Sequence, residues 1–309
     1  MTGIIRVRKP ERKEKMKKLK KLSALIMSVV LACAMLAACS SGSDESSDES
    51  AQESSDQVKV VEIDLTEEEY AFGVDKEQED LLEQVNAFIE EIMSDGTFDE
   101  ICNNYFGDGE PVAVTSAEED DSKDQLLVAT NAAFEPFEYM DGDSYLGIDM
   151  EIAQLLADYL GKELVILNMD FDSVCLSVGQ QKADIAMAGL TVTEERTEYV
   201  TFSTSYYTAS QRLIVTADDT DFDDCTTADE VVELLNSMSD ITIGVQNGTT
   251  GQFYVEGDED WGFEGLSAEC VGYKNGSLAV QDLINGNIDY VIIDAAPADC
   301  ITEALNELS

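Results

Sequence analysis

The chain of 309 residues contains no histidine, only 4 prolines and a single tryptophan. Without imidazole there is no Ser-His-Asp arrangement, no His-ligated metal and little general-base chemistry near neutral pH, so enzyme readings start at a disadvantage. Basic residues are scarce as well. Of the 18 Lys and Arg, 10 fall in the first 38 positions, which leaves 8 against 63 acids over the remainder, within a formal net charge of −47. So acidic a surface does not suit nucleic acid or anionic lipid, whose phosphates need cationic contacts, and it serves solubility instead. Cys33, Cys39, Cys102, Cys175, Cys225, Cys270 and Cys300 lie too far apart for a metal cluster and assign no disulfide. The acidic loop 218–224 lacks the spacing of an EF-hand, and no cofactor is expected.

What is present begins at the front. Residues 16–21 read MKKLKK, an apolar run covers 22–38, and it ends Leu36-Ala37-Ala38-Cys39. This pattern predicts a secretion signal over 1–38, the apolar run being slightly short for a membrane span. Met1 and Met16 both remain possible starts. Residues 40–57 are Ser, Asp and Glu with almost nothing apolar, so 39–57 is expected to be a disordered acidic tether reaching roughly 25 Å.

A 44% hydrophobic content over this length suits about two lobes with real cores. Residues 58–65 and 69–74 alternate like strands, 76–93 recurs at helical spacing, and a short helix follows around Phe98, Ile101, Cys102 and Phe106. Residues 107–124 read as a linker. From 126 onward strands and helices alternate: strands at 126–130, 164–167, 184–187, 211–215, 241–245, 268–272 and 288–293, helices at 148–160, 172–179, 227–237, 249–255, 277–285 and 296–307. That alternation predicts an α/β sheet architecture with covered faces.

One stretch stands out chemically, AGLTVTEER at 188–196, directly after an apolar strand. A strand ending in Ala-Gly and turning into a Thr-capped acidic helix start presents unpaired backbone N–H groups that attract an anion. Arg196, at the end of that first turn, can grip a carboxylate with two prongs. Arg196 and Arg212 are the only arginines beyond residue 12. The turn 244–251, GVQNGTTG, is a second anion-friendly helix start or a plain structural cap, and it lacks the Lys of a phosphate-binding loop. Asp294 ends an apolar strand, where ligands meet α/β sheets, and serves equally as an N-cap. Phe134, Phe137 and Phe171 either stack on a ligand or fill core.

Several stretches together resemble one family, the bacterial extracellular solute-binding proteins of polar amino acid uptake systems: ATNAAFEPFEYMDGDSYLGIDMEIA (129–153), NMDFDSV (168–174), ADIAMAGLTVTEERTEYVTFSTSYY (183–207), IGVQNGTTG (243–251) and NGNIDYVIID (285–294). The resemblance implies a two-lobed type II periplasmic-binding-protein fold with two hinge strands, closing over a free amino acid. It implies that Phe134 and Phe171 sandwich the ligand side chain. Arg196, Thr191 and amides near Gly189, Thr249 and Thr250 would hold the α-carboxylate, Asp294 the α-ammonium, while Asn131 faces the side chain. Asn131 stands where binders of cationic amino acids often carry an acid, which favours a neutral polar ligand. Leu-Ala-Ala-Cys resembles the lipoprotein cleavage box, implying a lipid on Cys39 and a place on the extracellular face of the membrane. An ABC permease and its ATPase would be the partners of a monomeric, non-catalytic receptor.

The chain departs from the family in one respect. Members end with a strand, a hinge strand, a long helix and a closing motif like DGTF…YFG, and here that part stands at the front, ending SDGTFDEICNNYFG. The expectation is a circular permutation: 67–106 and 125–212 form lobe I, 107–124 the join, and 58–66 with 214–309 lobe II, with hinge strands at 69–74 and 211–215. The rivals are a cyclohexadienyl dehydratase-like enzyme on the same fold and a sensory ligand-binding module.

Overall fold

A computed structural model describes residues 56–308. The signal expected over 1–38, Cys39 with its expected lipid, and all but the end of the expected tether lie outside the described residues. Two five-stranded sheets organise the rest. Sheet I runs in the spatial order β10 (Val200–Phe202), β3 (Gly73–Asp75), β9 (Ile185–Ala186), β4 (Gln125–Thr130), β8 (Glu163–Asn168). Sheet II runs β1 (Val58–Val61), β12 (Gln211–Thr216), β15 (Tyr290–Asp294), β13 (Thr242–Gln246), β14 (Glu269–Tyr273). Outside both lie the antiparallel pair β2 (Glu68–Tyr70) and β11 (Tyr207–Ala209), and a small sheet of β5 (Ala133–Phe134), β6 (Glu138–Asp141) and β7 (Ser144–Leu146).

Within each large sheet the three strands at one end are parallel, β4 with β8 and β9, β13 with β14 and β15, while β3 and β12 run antiparallel to both neighbours. Parallel neighbours require crossover helices, and burial on both faces explains why Val128, Ile185, Val245 and Ile292 are fully enclosed. The covering helices follow their apolar stripes. Helix α1 (Glu79–Asp95) buries Leu81, Val85, Phe88, Ile89 and Ile92, each worth about 1.5–3 kcal/mol before entropy is counted. Gly96, at φ +92, ends it in the left-handed region, and α2 (Thr97–Phe106) begins at once. Helices α3 (Ile148–Leu160), α4 (Val174–Gly179), α5 (Ala228–Ser237), α6 (Thr250–Glu256), α7 (Gly276–Ile284) and α8 (Ala295–Glu307) complete the set. Thr227 and Glu230 form a capping box that starts α5.

The front of the chain is woven into both sheets. Sheet I takes β3 between β9 and β10. Glu151 of α3, buried, accepts hydrogen bonds from Tyr105 Oη (2.6 Å), Asn104 Nδ2 (3.1 Å) and the Val112 amide (2.8 Å). Sheet II takes β1 at its edge. There Asn306 of α8 accepts from the amides of Gln57 (2.8 Å) and Val58 (3.1 Å) and donates to the Val58 carbonyl (2.8 Å).

Three expectations need correction. The strand expected over 58–65 stops at Val61, where the Ile63 amide turns back to the Val61 carbonyl at 2.7 Å. The single strand expected over 69–74 is broken between Tyr70 and Gly73, because the chain changes partner there. The Ala71 amide bonds to Leu190 O and the Phe72 amide to Ser203 Oγ. Residues 211–215, expected as a hinge, sit inside sheet II between β1 and β15, and the strand that passes between the sheets is β11 instead. The join 107–124 forms no named helix or strand, although Val114 exchanges backbone bonds with Tyr145.

Candidate ligand-binding cleft

The AGLTVTEER stretch does not open an α-helix. Residues 187–195 are a loop, and only a 3-10 turn, Arg196–Glu198, follows. The Arg196 amide is met by Thr193 Oγ1 at 3.2 Å, so the cap exists but is one turn long. Gly189 is needed for shape. Its φ is +53, and a Cβ there would stand 2.9 Å from Phe134 Cε1. Its amide is occupied, donating to Asp149 Oδ2 at 2.9 Å, and so does not serve an outside anion.

Arg196 is buried, 7% exposed. Nη1 donates to the Thr191 carbonyl (2.7 Å) and Nη2 to the Gly248 carbonyl (3.0 Å), one from each side of the cleft, and its Cζ lies 5.2 Å from the centre of the Phe171 ring. No carboxylate pairs with it among the described residues; Arg212, by contrast, is held at the surface by Glu62 and Asp64. Buried guanidinium without an anion leaves charge to be matched.

The acids are nearby and equally unmatched. Asp294 begins α8 yet makes no capping bond. Its side chain is buried and accepts instead from Tyr70 Oη. Burial raises its pKa to about 7, the Glu68 charge adding to the rise and the bonds from Tyr70 and Gln211 opposing it. Glu68, on β2, is 2% exposed. Its Oε2 accepts from Thr191 Oγ1 and Thr250 Oγ1, both at 2.8 Å, and its Oε1 from Thr66 Oγ1 at 2.6 Å. Glu138, fully buried on β6, has no hydrogen-bond partner on either oxygen, and burial, with Asp149 and Asp294 near, pushes its pKa well up. Asp149, at the start of α3, is raised to about 7 by burial despite bonds from the Gly189 amide and Tyr206 Oη.

Of the remaining expected residues, Asn131 follows β4 and donates to the Met169 carbonyl (2.7 Å), while its Oδ1 accepts from Gln246 Nε2 (3.2 Å) across the cleft. Phe134 is buried against Phe137 at 6.1 Å between ring centres. Thr250 Oγ1 donates to Glu68 and accepts from Gln211 Nε2 (3.0 Å). Thr249 contributes no hydroxyl to the cleft, since its Oγ1 turns to the Gln246 carbonyl at 2.8 Å. Residue reasoning missed Glu68, Tyr70, Glu138, Gln211 and Gln246. Only Glu138 left a trace, an acid amid the aromatics of AAFEPFEY. The closed cleft is spanned by Arg196 to Gly248, Gln246 to Asn131 and Glu68 to Thr250.

With this geometry in place, the model of the bacterial extracellular solute-binding proteins, family 3, matches residues 126–295. The chain belongs to that family. Among curated proteins, it is 31% identical over 182 residues to the arginine-binding extracellular protein ArtP of Bacillus subtilis, covering 57% of this chain and 64% of ArtP. It is 29% identical over 174 residues to the ABC transporter arginine-binding protein 1 of Escherichia coli, covering 56% and 64%. The match thus spans less than two thirds of either relative. Among solved structures it resembles a mutant of ArgBP from T. maritima (33% identity, TM-score 0.50, 58% of this chain and 72% of that one). It also resembles an ancestral arginine-binding protein bound to arginine (29%, TM-score 0.51, 59% and 75%). These relatives bear the names of binding proteins, and the family is extracellular. Among the described residues no helix is long and apolar enough to cross a membrane.

The raised acids set a pH dependence. Asp149 and Asp294 rise from 3.8 to about 7 on folding, so their protonated forms are favoured in the native state. Their contribution is fully present below the unfolded value and is lost as pH rises through about 7. The melting temperature of the ligand-free protein is therefore expected to fall between pH 5 and pH 8. Asp294→Asn should shallow that fall, by differential scanning calorimetry; an unchanged slope would show that Asp294 is not among the groups responsible.

Proposed function

We propose that this chain is a non-catalytic receptor that encloses one free amino acid with a cationic side chain and delivers it to an ABC-type permease and ATPase. The observation that carries this reading is the set of buried polar atoms without partners: Glu138 Oε1 and Oε2, Gln211 Oε1, Gln246 Oε1 and Thr130 Oγ1. Gln211 Oε1 and Gln246 Oε1 can only accept, and Glu138, whose burial favours the protonated carboxyl, regains its charge and its full set of acceptors when a cation arrives, so a molecule rich in donors satisfies them best. A guanidinium or ammonium side chain is such a group. Asn131, the reason for expecting a neutral ligand, has its amide engaged by Met169 and Gln246 and leaves side-chain selection to Glu138. The names of the arginine-binding relatives agree with a cationic ligand.

In this reading Arg196 exchanges its two carbonyls for the α-carboxylate, a stronger, charge-assisted partner. Asp294 takes the α-ammonium, and Phe134 and Phe171 flank the side chain. Isothermal titration calorimetry is expected to show L-arginine bound more tightly than its neutral isostere L-citrulline, with Glu138→Gln erasing the preference. Arg196→Ala should cost about 30-fold or more in affinity, roughly 2–5 kcal/mol. Equal affinity for both ligands in the unmutated protein would remove the cationic reading, and an undiminished Arg196→Ala would remove Arg196 from the site.

The same reading extends to chain order. We infer a circular permutation with 67–106 and the stretch from 125 as one lobe, 107–124 as the join and 58–66 with the stretch to 309 as the other lobe, the boundary between the two lobes moving from 212 to just before β12 at Gln211. The grip of Asn306 on Gln57 and Val58, and of Glu151 on Tyr105 and Val112, supports it. Joining Ser309 to Gln57 through a short linker and opening the chain within 107–124 should give a folded protein with the same ligand affinity. Loss of folding in that rearranged chain would count against the inference.

The sequence Leu36-Ala37-Ala38-Cys39 supports cleavage before Cys39 and lipid attachment to it, anchoring the receptor outside the cell. Mass spectrometry of the mature N-terminus should find a diacylated Cys39; a bare cysteine, or cleavage elsewhere, would refute the anchor.

A further inference from the structure

Glu68 occupies an unexpected place. Its Oε2 takes the hydroxyl protons of Thr191, beside sheet I, and of Thr250, beside sheet II. A hydroxyl has one proton to give. Thr250 Oγ1 already accepts from Gln211 Nε2, so its donor capacity is spent on Glu68 alone. A carboxylate arriving at Thr191, Thr250 and Arg196 must compete with Glu68 for these same two protons. It also places a second negative group beside it. No cation answers Glu68 in the closed cleft: its side-chain partners are the hydroxyls of Thr66, Thr191 and Thr250, and no ion pair among the described residues includes it. Asp294 lies near enough to feel its charge, and Tyr70, two residues along on the same face of β2, donates to Asp294.

We propose that Glu68 makes capture of a carboxylate conditional on an α-ammonium beside it, so that the cleft takes zwitterions and rejects plain carboxylates. The proposal rests on the amino acid reading of the site. A ligand with both groups offsets the displaced Glu68: its carboxylate takes the two hydroxyls, and its ammonium lies between Glu68 and Asp294. A carboxylate without the ammonium displaces Glu68 and leaves two buried acids with a third negative group next to them. Asp294 alone would favour an ammonium, whereas Glu68 adds a penalty for its absence. Glu68 is thereby a specificity-determining residue supplied by a strand that belongs to neither large sheet.

The test compares two probes that differ only in the α-ammonium, L-arginine and 5-guanidinovalerate, by calorimetry on the full chain. The unmutated protein is expected to prefer L-arginine. Glu68→Gln keeps the shape, removes the charge and should cut that preference by about tenfold or more, chiefly because 5-guanidinovalerate now binds better. Glu68→Met, of similar length and without hydrogen-bonding demands, repeats the measurement if the amide variant does not fold. An unchanged preference in the folded variant overturns the proposal and leaves the amino acid reading intact. Failure of the unmutated protein to bind L-arginine or any other amino acid overturns that reading, and the proposal with it.

Discussion

The cleft depends on one guanidinium that has been taken out of water without being given an anion. Arg196 is held by two neutral carbonyls, Thr191 O and Gly248 O, and by the face of Phe171. Elsewhere in the cleft region four carboxyl groups, Glu68, Glu138, Asp149 and Asp294, are buried, and no ion pair among the described residues includes any of them. Either half of this mismatch alone would be a costly defect. Together they fit the proposed ligand, a molecule that carries both signs of charge with positive charge in excess.

Until such a molecule arrives, the cleft copes by neutralising or sharing. Asp149 and Asp294 are pushed toward retaining a proton, Glu68 borrows hydroxyls, and Arg196 borrows carbonyls. Each substitute is weaker than the interaction it stands in for, since a hydrogen bond with one charged partner gains less than a pair charged on both sides. The closed arrangement is therefore complete in shape and incomplete in charge, which leaves the ligand to supply the difference.

Much of this was legible in the residues, and the reason differs from element to element. The helices over 79–95 and 148–160 announce themselves by spacing, because one apolar stripe meets one sheet. The short crossings did not. Three-residue strands such as β2 and β11 carry no period of their own, and their boundaries follow from partners far away in the chain. Arg196 was visible because arginine is rare here. The expected helix after it failed because Thr193 caps a single turn and residues 196–198 then run into β10. Glu68 was invisible for the opposite reason: among 65 acids nothing local marks it as enclosed, whereas Glu138 had only its aromatic neighbours to single it out. Thr249 and Thr250 looked alike in GVQNGTTG, and only the direction of each hydroxyl separates them.

The strand β2 has two duties that most folds keep apart. It is one of the two short strands lying between the large sheets, and it also carries Glu68 and Tyr70, whose side chains reach Thr191, Thr250 and Asp294. The chain passes from one large sheet to the other only beside β2 and β11 among the described residues, so these two side chains sit where the sheets are joined. The proposed selectivity and the junction between the sheets therefore share the same three residues of backbone. If Glu68 selects the ligand as proposed, a substitution there also removes the hydrogen bonds that join Thr191 to Thr250 across the cleft, so selectivity and the hold on the closed form change together.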